Sequence, residues 1–233
     1  MVLHLQRLPA VRGIYGPNRD LMPRRALLLH PDACASFLGL EATNPLVYSD
    51  IFRSAESSLA AVQAGRGAQP PGYSGHNYGL AVDVAVDETL KRHGWKYAQL
   101  LSFLAERGWH CYCRDGKRGK EDWHFNFLGT NAGRILQLVD PTRRSTWATA
   151  AELLIKTYYP DALTLSPGGI QQCLAKIGFY RGEIDGLLGP LSRQAIAAFA
   201  RAWGLDPEAT LSPRLQRTLA YVSAELRIVD PIS

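Results

Sequence analysis

Ser74-Gly75-His76-Asn77-Tyr78-Gly79-Leu80-Ala81-Val82-Asp83 is the stretch on which the reading of this chain turns. Its glycines permit a tight turn that passes close to a ligand. From Leu80 to Asp87 the residues alternate, with Leu80, Val82, Val84 and Val86 on one face and Ala81, Asp83, Ala85 and Asp87 on the other. That is the period-2 pattern of a strand with one apolar face. The other face offers Asp83 between two alanines, so small neighbours leave room around a carboxylate. A buried carboxylate needs a partner, and a metal ion is a good one. His76 stands in the turn, and a second histidine closes Glu121-Asp122-Trp123-His124. Two imidazoles and one carboxylate make a three-donor zinc set with a fourth position open to water. Zinc lowers the pKa of such water to about 7 and polarises a carbonyl under attack.

Glu121 lies three residues before His124. A carboxylate beside activated water can take its proton and hand one to a leaving amine. Residues i and i+3 of a regular strand point to opposite faces, so Glu121 is expected in the turn before the strand, after Lys117-Arg118-Gly119-Lys120. The other histidines carry blander expectations. His4, His30 and His93 read as satisfied structural or surface residues. His110 with Cys111 and Cys113 competes as a soft metal site, but its spacing lacks a usual zinc pattern, and a core or edge strand is the expectation. Trp123 is expected to pack near the site, and Asp122 to lie at an exposed strand end.

Working outward, a helix is predicted over Asp50–Ala64 from Phe52, Ala55, Leu59 and Val62, stopped by Gly65. Tyr97–Arg107 reads as a helix closed by Gly108. Trp109–Cys113 and Trp123–Leu128 read as strands joined by the charged turn Arg114–Lys120. Ser145 is the expected cap of a helix running to about Tyr158. Asp87 and Glu88 read as helix-start acids. Pro160–Gly169 is the expected linker. Three helical patterns follow: Ile170, Leu174 and Ile177; Ile196, Phe199 and Trp203; and Leu215, Leu219 and Val222 after Ser212-Pro213. The expected fold is α+β: a small antiparallel sheet with flanking helices carrying a zinc site (residues 1–160), plus a C-terminal three-helix domain (residues 161–233).

These residues resemble a known family. Ser74, His76, Gly79, Ala81 and Asp83 match the signature SxHxxGxAxD, and Glu121, Trp123 and His124 match ExWH, in the right order over roughly residues 45–130. That signature belongs to the zinc peptidases of the D-alanyl-D-alanine carboxypeptidase, VanY and VanX group, relatives of the phage L-alanyl-D-glutamate endopeptidases. The resemblance implies that His76, Asp83 and His124 hold zinc and that Glu121 is the catalytic base. It also implies an upstream arginine. Tyr48-Ser49-Asp50-Ile51-Phe52-Arg53-Ser54 puts Arg53 in that place without the family's glycine, as a guanidinium for a substrate carboxylate or an oxyanion. By the same resemblance Ser74 binds substrate or orders its loop. Gly178-Phe179-Tyr180-Arg181-Gly182-Glu183-Ile184-Asp185-Gly186-Leu187-Leu188-Gly189, followed by Ala195 and Phe199, is similar to a three-helix peptidoglycan-binding domain. In it Asp185 is read as shaping a turn with Gly186. Ala200 stands where that domain has glutamine.

The implied function is hydrolysis of peptide bonds in bacterial peptidoglycan by a phage or prophage endolysin, cutting L-alanyl-D-glutamate or a cross-link. A D-alanyl-D-alanine carboxypeptidase of the VanY type is the alternative cut, since ExWH is closer to that branch. A non-catalytic, zinc-stabilised wall-binding protein is the alternative of another class. Charge fits an anionic partner: residues 1–160 hold 19 Lys/Arg against 14 Asp/Glu, whereas residues 161–233 hold 7 of each. No basic helix or zinc-finger spacing speaks for nucleic acid, and no apolar run is long enough for membrane insertion. The first 25 residues show no apolar signal-peptide core, so the chain is expected in the cytoplasm, as a monomer, until released to the wall. The four cysteines form no secreted-domain framework, and reduced thiols are expected.

Overall fold

The computed structural model describes residues 1–9, 27–112, 118–140, 142–160, 165–208 and 211–230. In chain order its elements are β1 (Val2–Arg7), β2 (Leu28–Leu29), α1 (Pro31–Thr43), β3 (Tyr48–Asp50), α2 (Ala55–Gln63), a 3-10 turn (Gly75–Tyr78), β4 (Ala81–Val84), α3 (Val86–His93), α4 (Tyr97–Ala105), β5 (Trp109–His110), β6 (His124–Phe127), a second 3-10 turn (Gly129–Asn131), α5 (Ala132–Leu136), α6 (Arg144–Tyr158), α7 (Pro167–Lys176), α8 (Pro190–Ala202), α9 (Pro213–Val222) and β7 (Glu225–Val229). The class is α+β, with two small sheets of order β2-β1-β7 and β3-β4-β6-β5. The chain forms two compact units: residues 1–3, 54–73 and 156–226, and residues 4–53, 74–155 and 227–233.

The second unit is built around the four-stranded sheet. β4 is central, antiparallel to β3 and to β6, with Asp83 opposite His124 and Ala81 opposite Asn126. Every residue of β4 is buried, so both faces are covered and the alternation separates a valine face from a polar site rather than core from solvent. α1 begins at Pro31, behind a cap in which His30 Nδ1 accepts from the Asp32 amide at 3.3 Å. It carries Phe37 into the core, 4.8 Å from the Tyr48 ring and 6.5 Å from Trp109, which lies 5.2 Å from Phe127. Burying side chains of this size contributes about 1.5–3 kcal/mol each. The indole of Trp109 is also tied down, donating to Ser36 Oγ at 3.0 Å, while Ser36 donates to the Arg107 carbonyl.

The first unit contains α7, α8 and α9, packed through Ile170, Leu174, Ile196, Phe199, Leu215 and Leu219. Ser166 and Ser212 cap α7 and α9, each followed by a first-turn proline. Gln171, fully buried, organises the loop before α8: its amide nitrogen lies within 3.2 Å of Tyr180 Oη, Asp185 Oδ1, the Leu187 carbonyl and Ser192 Oγ, with two hydrogens to share among them, and its oxygen accepts from the Gly186 amide. Asp185 Oδ1 also accepts from the Leu187 amide at 2.9 Å, the turn-shaping role read from Asp-Gly.

Several boundaries differ from the sequence reading, each for a local reason. The helix expected from Asp50 begins at Ala55, because Tyr48–Asp50 pair with β4 and Ser54 supplies the cap. The strand expected to reach Asp87 ends at Val84. Ala85 makes one more bond, to the Val47 carbonyl, and Asp87 and Glu88 then sit in the first turn of α3. The strand from Trp109 extends only to His110, and β6 starts at His124. Ser145 lies inside α6, which begins at Arg144. The linker expected to reach Gly169 is shorter, since Ser166 already caps α7. Cys113, residues 114–117 of the charged turn and residues 161–164 of the linker lie outside the described residues. Neither β1, β7 nor α1 was expected.

Candidate metal centre

The first imidazole is set by the 3-10 turn. Ser74 Oγ accepts from the His76 amide, and Asn77 Oδ1 accepts from the Ser74 amide, a reciprocal cap. Gly79 ends the turn in the left-handed region at φ 66°. His76 is 1% exposed, and its Nδ1 lies 2.6 Å from the Ile51 carbonyl. Nδ1 must therefore donate, so Nε2 is the nitrogen that takes or gives up the second proton and offers its electron pair once that proton leaves, the arrangement metal-binding histidines use. The Ser74 hydroxyl, one of the expected substrate contacts, is thus engaged in ordering the loop.

Asp83 and His124 come from facing positions of β4 and β6. His76 Nε2 to Asp83 Oδ1 is 3.0 Å, His124 Nδ1 to Asp83 Oδ1 is 2.9 Å, and His76 Nε2 to His124 Nδ1 is 3.1 Å. Donors held about 2.0–2.2 Å from a tetrahedral cation are about 3.3–3.5 Å apart, so the triangle is that of a ligand face drawn in by a few tenths of an ångström. Among the described residues this is the one group of three His, Cys, Asp or Glu side chains so converged, and it could hold a metal ion. The electrostatics agree. Burial works to raise the Asp83 carboxyl, but the charge of His76 and hydrogen bonds from His124 and His76 outweigh it and hold it far below the carboxylate range. Burial likewise works to lower His76, yet Asp83 and then Asp50 overcome it and leave the imidazole above its ordinary value. A concentrated negative charge waits at the apex of the triangle.

Arg53 stands beside it, just before the α2 cap and not within a helix. Its backbone is pinned by Arg53 N–H to the His76 carbonyl at 3.2 Å and by Asn77 Nδ2 to the Arg53 carbonyl at 2.8 Å. Its Nη2 is 3.9 Å from Asp83 Oδ2.

Glu121 lies in the turn before β6, as strand geometry required, half-buried, with φ 63°. A non-glycine residue in the left-handed region is held there by its surroundings, and these are visible. The Glu121 carbonyl accepts from the His124 amide at 3.0 Å and from Cys111 Sγ at 3.7 Å. The next carbonyl, of Asp122, accepts from Tyr97 Oη at 2.8 Å, and that of Trp123 from the Val84 amide at 2.8 Å. This turn also corrects two expectations. Asp122 is 4% exposed and paired with Arg118, whose guanidinium also meets Asp87, whereas Trp123 is 44% exposed. After the left-handed residue the Asp122 carboxylate faces in and the Trp123 indole faces out.

Other histidines answer the bland reading: His30 caps α1, and His93 Nε2 lies 3.0 Å from the Pro45 carbonyl. Three contributors escaped the sequence. Asp50 binds Arg53 through both Nε, at 2.9 Å, and Nη2; its i, i+3 spacing was a signal, masked by the helix expected there. Asn77 carries the cap. Asn126 shares the His124 face of β6, is 1% exposed, and has neither amide atom hydrogen-bonded among the described residues. A Cβ on Gly75 would lie 2.6 Å from its Oδ1, so that glycine is needed for space.

No family model matches the chain. Over 89 residues it is 32% identical to the OxPP cycle protein OpcA of Synechocystis sp., covering 36% of this chain and 19% of that protein. The chain thus spans about a fifth of the length of the curated relative it matches, a likeness too partial to carry an activity. No helix among the described residues is long and apolar enough to cross a membrane.

Proposed function

We propose that the chain is a zinc-dependent peptidase of the VanY and VanX type that hydrolyses the peptide part of bacterial peptidoglycan, an endolysin of phage or prophage origin. The observation that carries this reading is the convergence of His76 Nε2, Asp83 Oδ1 and His124 Nδ1 at 2.9–3.1 Å, with the tautomer of His76 fixed from behind by Ile51. Two imidazoles and a carboxylate suit zinc and leave a position for substrate or water. Zinc held there supplies Lewis acidity towards water and towards the scissile carbonyl.

The remaining steps belong to the protein. Glu121 accepts the proton of the attacking water as its oxygen bonds to the carbonyl carbon. As the carbon–nitrogen bond breaks, Glu121 returns that proton to the departing amine. Arg53 offers a fixed positive charge to the oxyanion or to a stem-peptide carboxylate. The C-terminal helices, with the Gly178–Gly189 loop resembling a peptidoglycan-binding domain, support a polymeric wall substrate, because a tether raises the local concentration of enzyme on its substrate.

Purified peptidoglycan digested with the zinc-loaded chain, with and without chelator, and read by mass spectrometry tests the proposal. New stems or opened cross-links that vanish with chelator are the expected result. L-alanine termini or opened cross-links identify an endopeptidase, and released D-alanine the carboxypeptidase. No new product with zinc, or with another divalent ion, removes the enzyme.

A further inference from the structure

Asp50 and Asp83 face each other across the β3–β4 pair. Two carboxylates in directly opposed positions repel unless a cation lies with them, and Arg53 is that cation. Its partners are not equal. Nε and Nη2 both donate to Asp50 Oδ2, whereas Nη2 stops 3.9 Å from Asp83 Oδ2, beyond hydrogen-bonding distance. The other oxygen of Asp83, Oδ1, is the one that meets both imidazoles. All three side chains are at least three-quarters buried, so these charges are poorly screened.

A guanidinium takes two-bonded carboxylate contacts where it can. Asp83 lies within an ångström or so of offering one. An arginine engaged on Asp83 would withdraw electron density from a metal ligand and compete with the cation for it. We propose that Asp50 is a positioning residue: by capturing the side-on edge of Arg53 it keeps the guanidinium off Asp83, preserving that carboxylate for the metal while leaving Arg53 beside the substrate position. The inference rests on the zinc-peptidase reading for its metal but not on the substrate.

Zinc affinity, measured by competition with a chromophoric chelator, tests it in four proteins: the parent, Asp50→Ala, Arg53→Met and the double variant. Melting temperature confirms the fold of each. Outer-shell partners of metal ligands are worth about 10–100-fold in affinity. Asp50→Ala is therefore expected to weaken zinc binding at least about tenfold in the parent, but less than about threefold when Arg53 is already methionine. Asp50→Glu, which restores a carboxylate within reach of Arg53, is expected to recover most of the loss, and Asp50→Asn serves if the alanine variant does not fold. An equal loss in both backgrounds means that Asp50 acts only through its charge and overturns the inference. So does unchanged affinity in Asp50→Ala. A parent that binds no zinc removes the inference and the proposed function together. A parent that binds zinc, obeys the cycle and leaves peptidoglycan intact removes the proposed function alone.

Discussion

The turn before β4 and the turn before β6 each deliver one imidazole to Asp83, yet they solve the same backbone problem with different residues. Both contain a left-handed residue, Gly79 at φ 66° in the first and Glu121 at φ 63° in the second. At Gly79 the choice is forced by space as well as by conformation. A Cβ there would lie 2.6 Å from the His30 nitrogen and 2.8 Å from the Leu29 carbonyl carbon. At Glu121 glycine would be the easier residue, and holding a side chain in this region costs on the order of 1–3 kcal/mol. The first turn is chosen by its backbone. The second keeps a carboxylate against backbone preference, and the bonds from Cys111, Tyr97 and the His124 amide hold it there. In the proposed mechanism that side chain is the base, a role for which such a cost would be tolerated.

The largest effect should fall on that carboxylate. Glu121→Gln keeps shape and removes the proposed base, so kcat is expected to fall about 10²–10⁴-fold while zinc affinity stays within a factor of about three. Residual turnover near the parent's would mean that the strained position holds something other than the base. The glycine turn should fail differently. Gly79→Ala meets backbone atoms of the β2–α1 corner and adopts a conformation alanine avoids. Overpacking and strain together should cost about 3 kcal/mol in denaturant unfolding, with zinc binding lost alongside the fold. A variant as stable as the parent would show that the corner yields.

Much of this contrast was legible in the residues. The alternation after Gly79 announced a strand, its alanines announced room around Asp83, and the i, i+3 parity of Glu121 and His124 required a turn between them. The conformation inside that turn was not legible. No glycine marks it, so Asp122 and Trp123 were assigned to the wrong environments. Arg53 was recognised, but Asp50 was read as part of a helix, and its role depends on a cross-strand register that chain order does not disclose. In the first unit, apolar spacing made α7 to α9 plain and Ser212-Pro213 marked the start of α9, whereas Ser166, the cap of α7, reads as linker in the sequence. β1 was overlooked although Leu3 and Leu5, both fully buried, alternate with His4 and Gln6 in a strand's period. β7 has the same period, Leu226 and Ile228 alternating with Glu225 and Arg227, but it is exposed at every position.

A third prediction concerns protons at the glycine turn. His76 is raised above its ordinary 6.5 by Asp83 and Asp50 against the pull of burial, so the metal-free fold binds a proton there more tightly than the unfolded chain does. That contribution is complete below pH 6.5 and fades as pH rises through the raised value. Asp83, depressed from its ordinary 3.8, contributes above that pH and loses its contribution as pH falls. The metal-free chain should therefore melt at lower temperature at pH 8.5 than at pH 5.5, by about a few degrees. Zinc should stabilise more at the higher pH, because cation and proton compete for the imidazole. A metal-free melting temperature that rises between those pH values contradicts the His76–Asp83 coupling.

The smallest effect is the most direct test of the difference between the turns. Glu121→Gly gives the second turn the residue the first already uses. Relief of left-handed strain, about 1–3 kcal/mol, is offset by the larger entropy glycine has in the unfolded chain, about 0.5–1 kcal/mol. A net gain of about 1 kcal/mol is expected in chemical denaturation, together with loss of hydrolysis. Stability and activity would then move in opposite directions at one position, as they do where function holds a residue against its conformational preference. If instead Glu121→Gly destabilises the chain, its side chain contributes to holding the turn, and the contrast with Gly79 reduces to two ways of stabilising a bend.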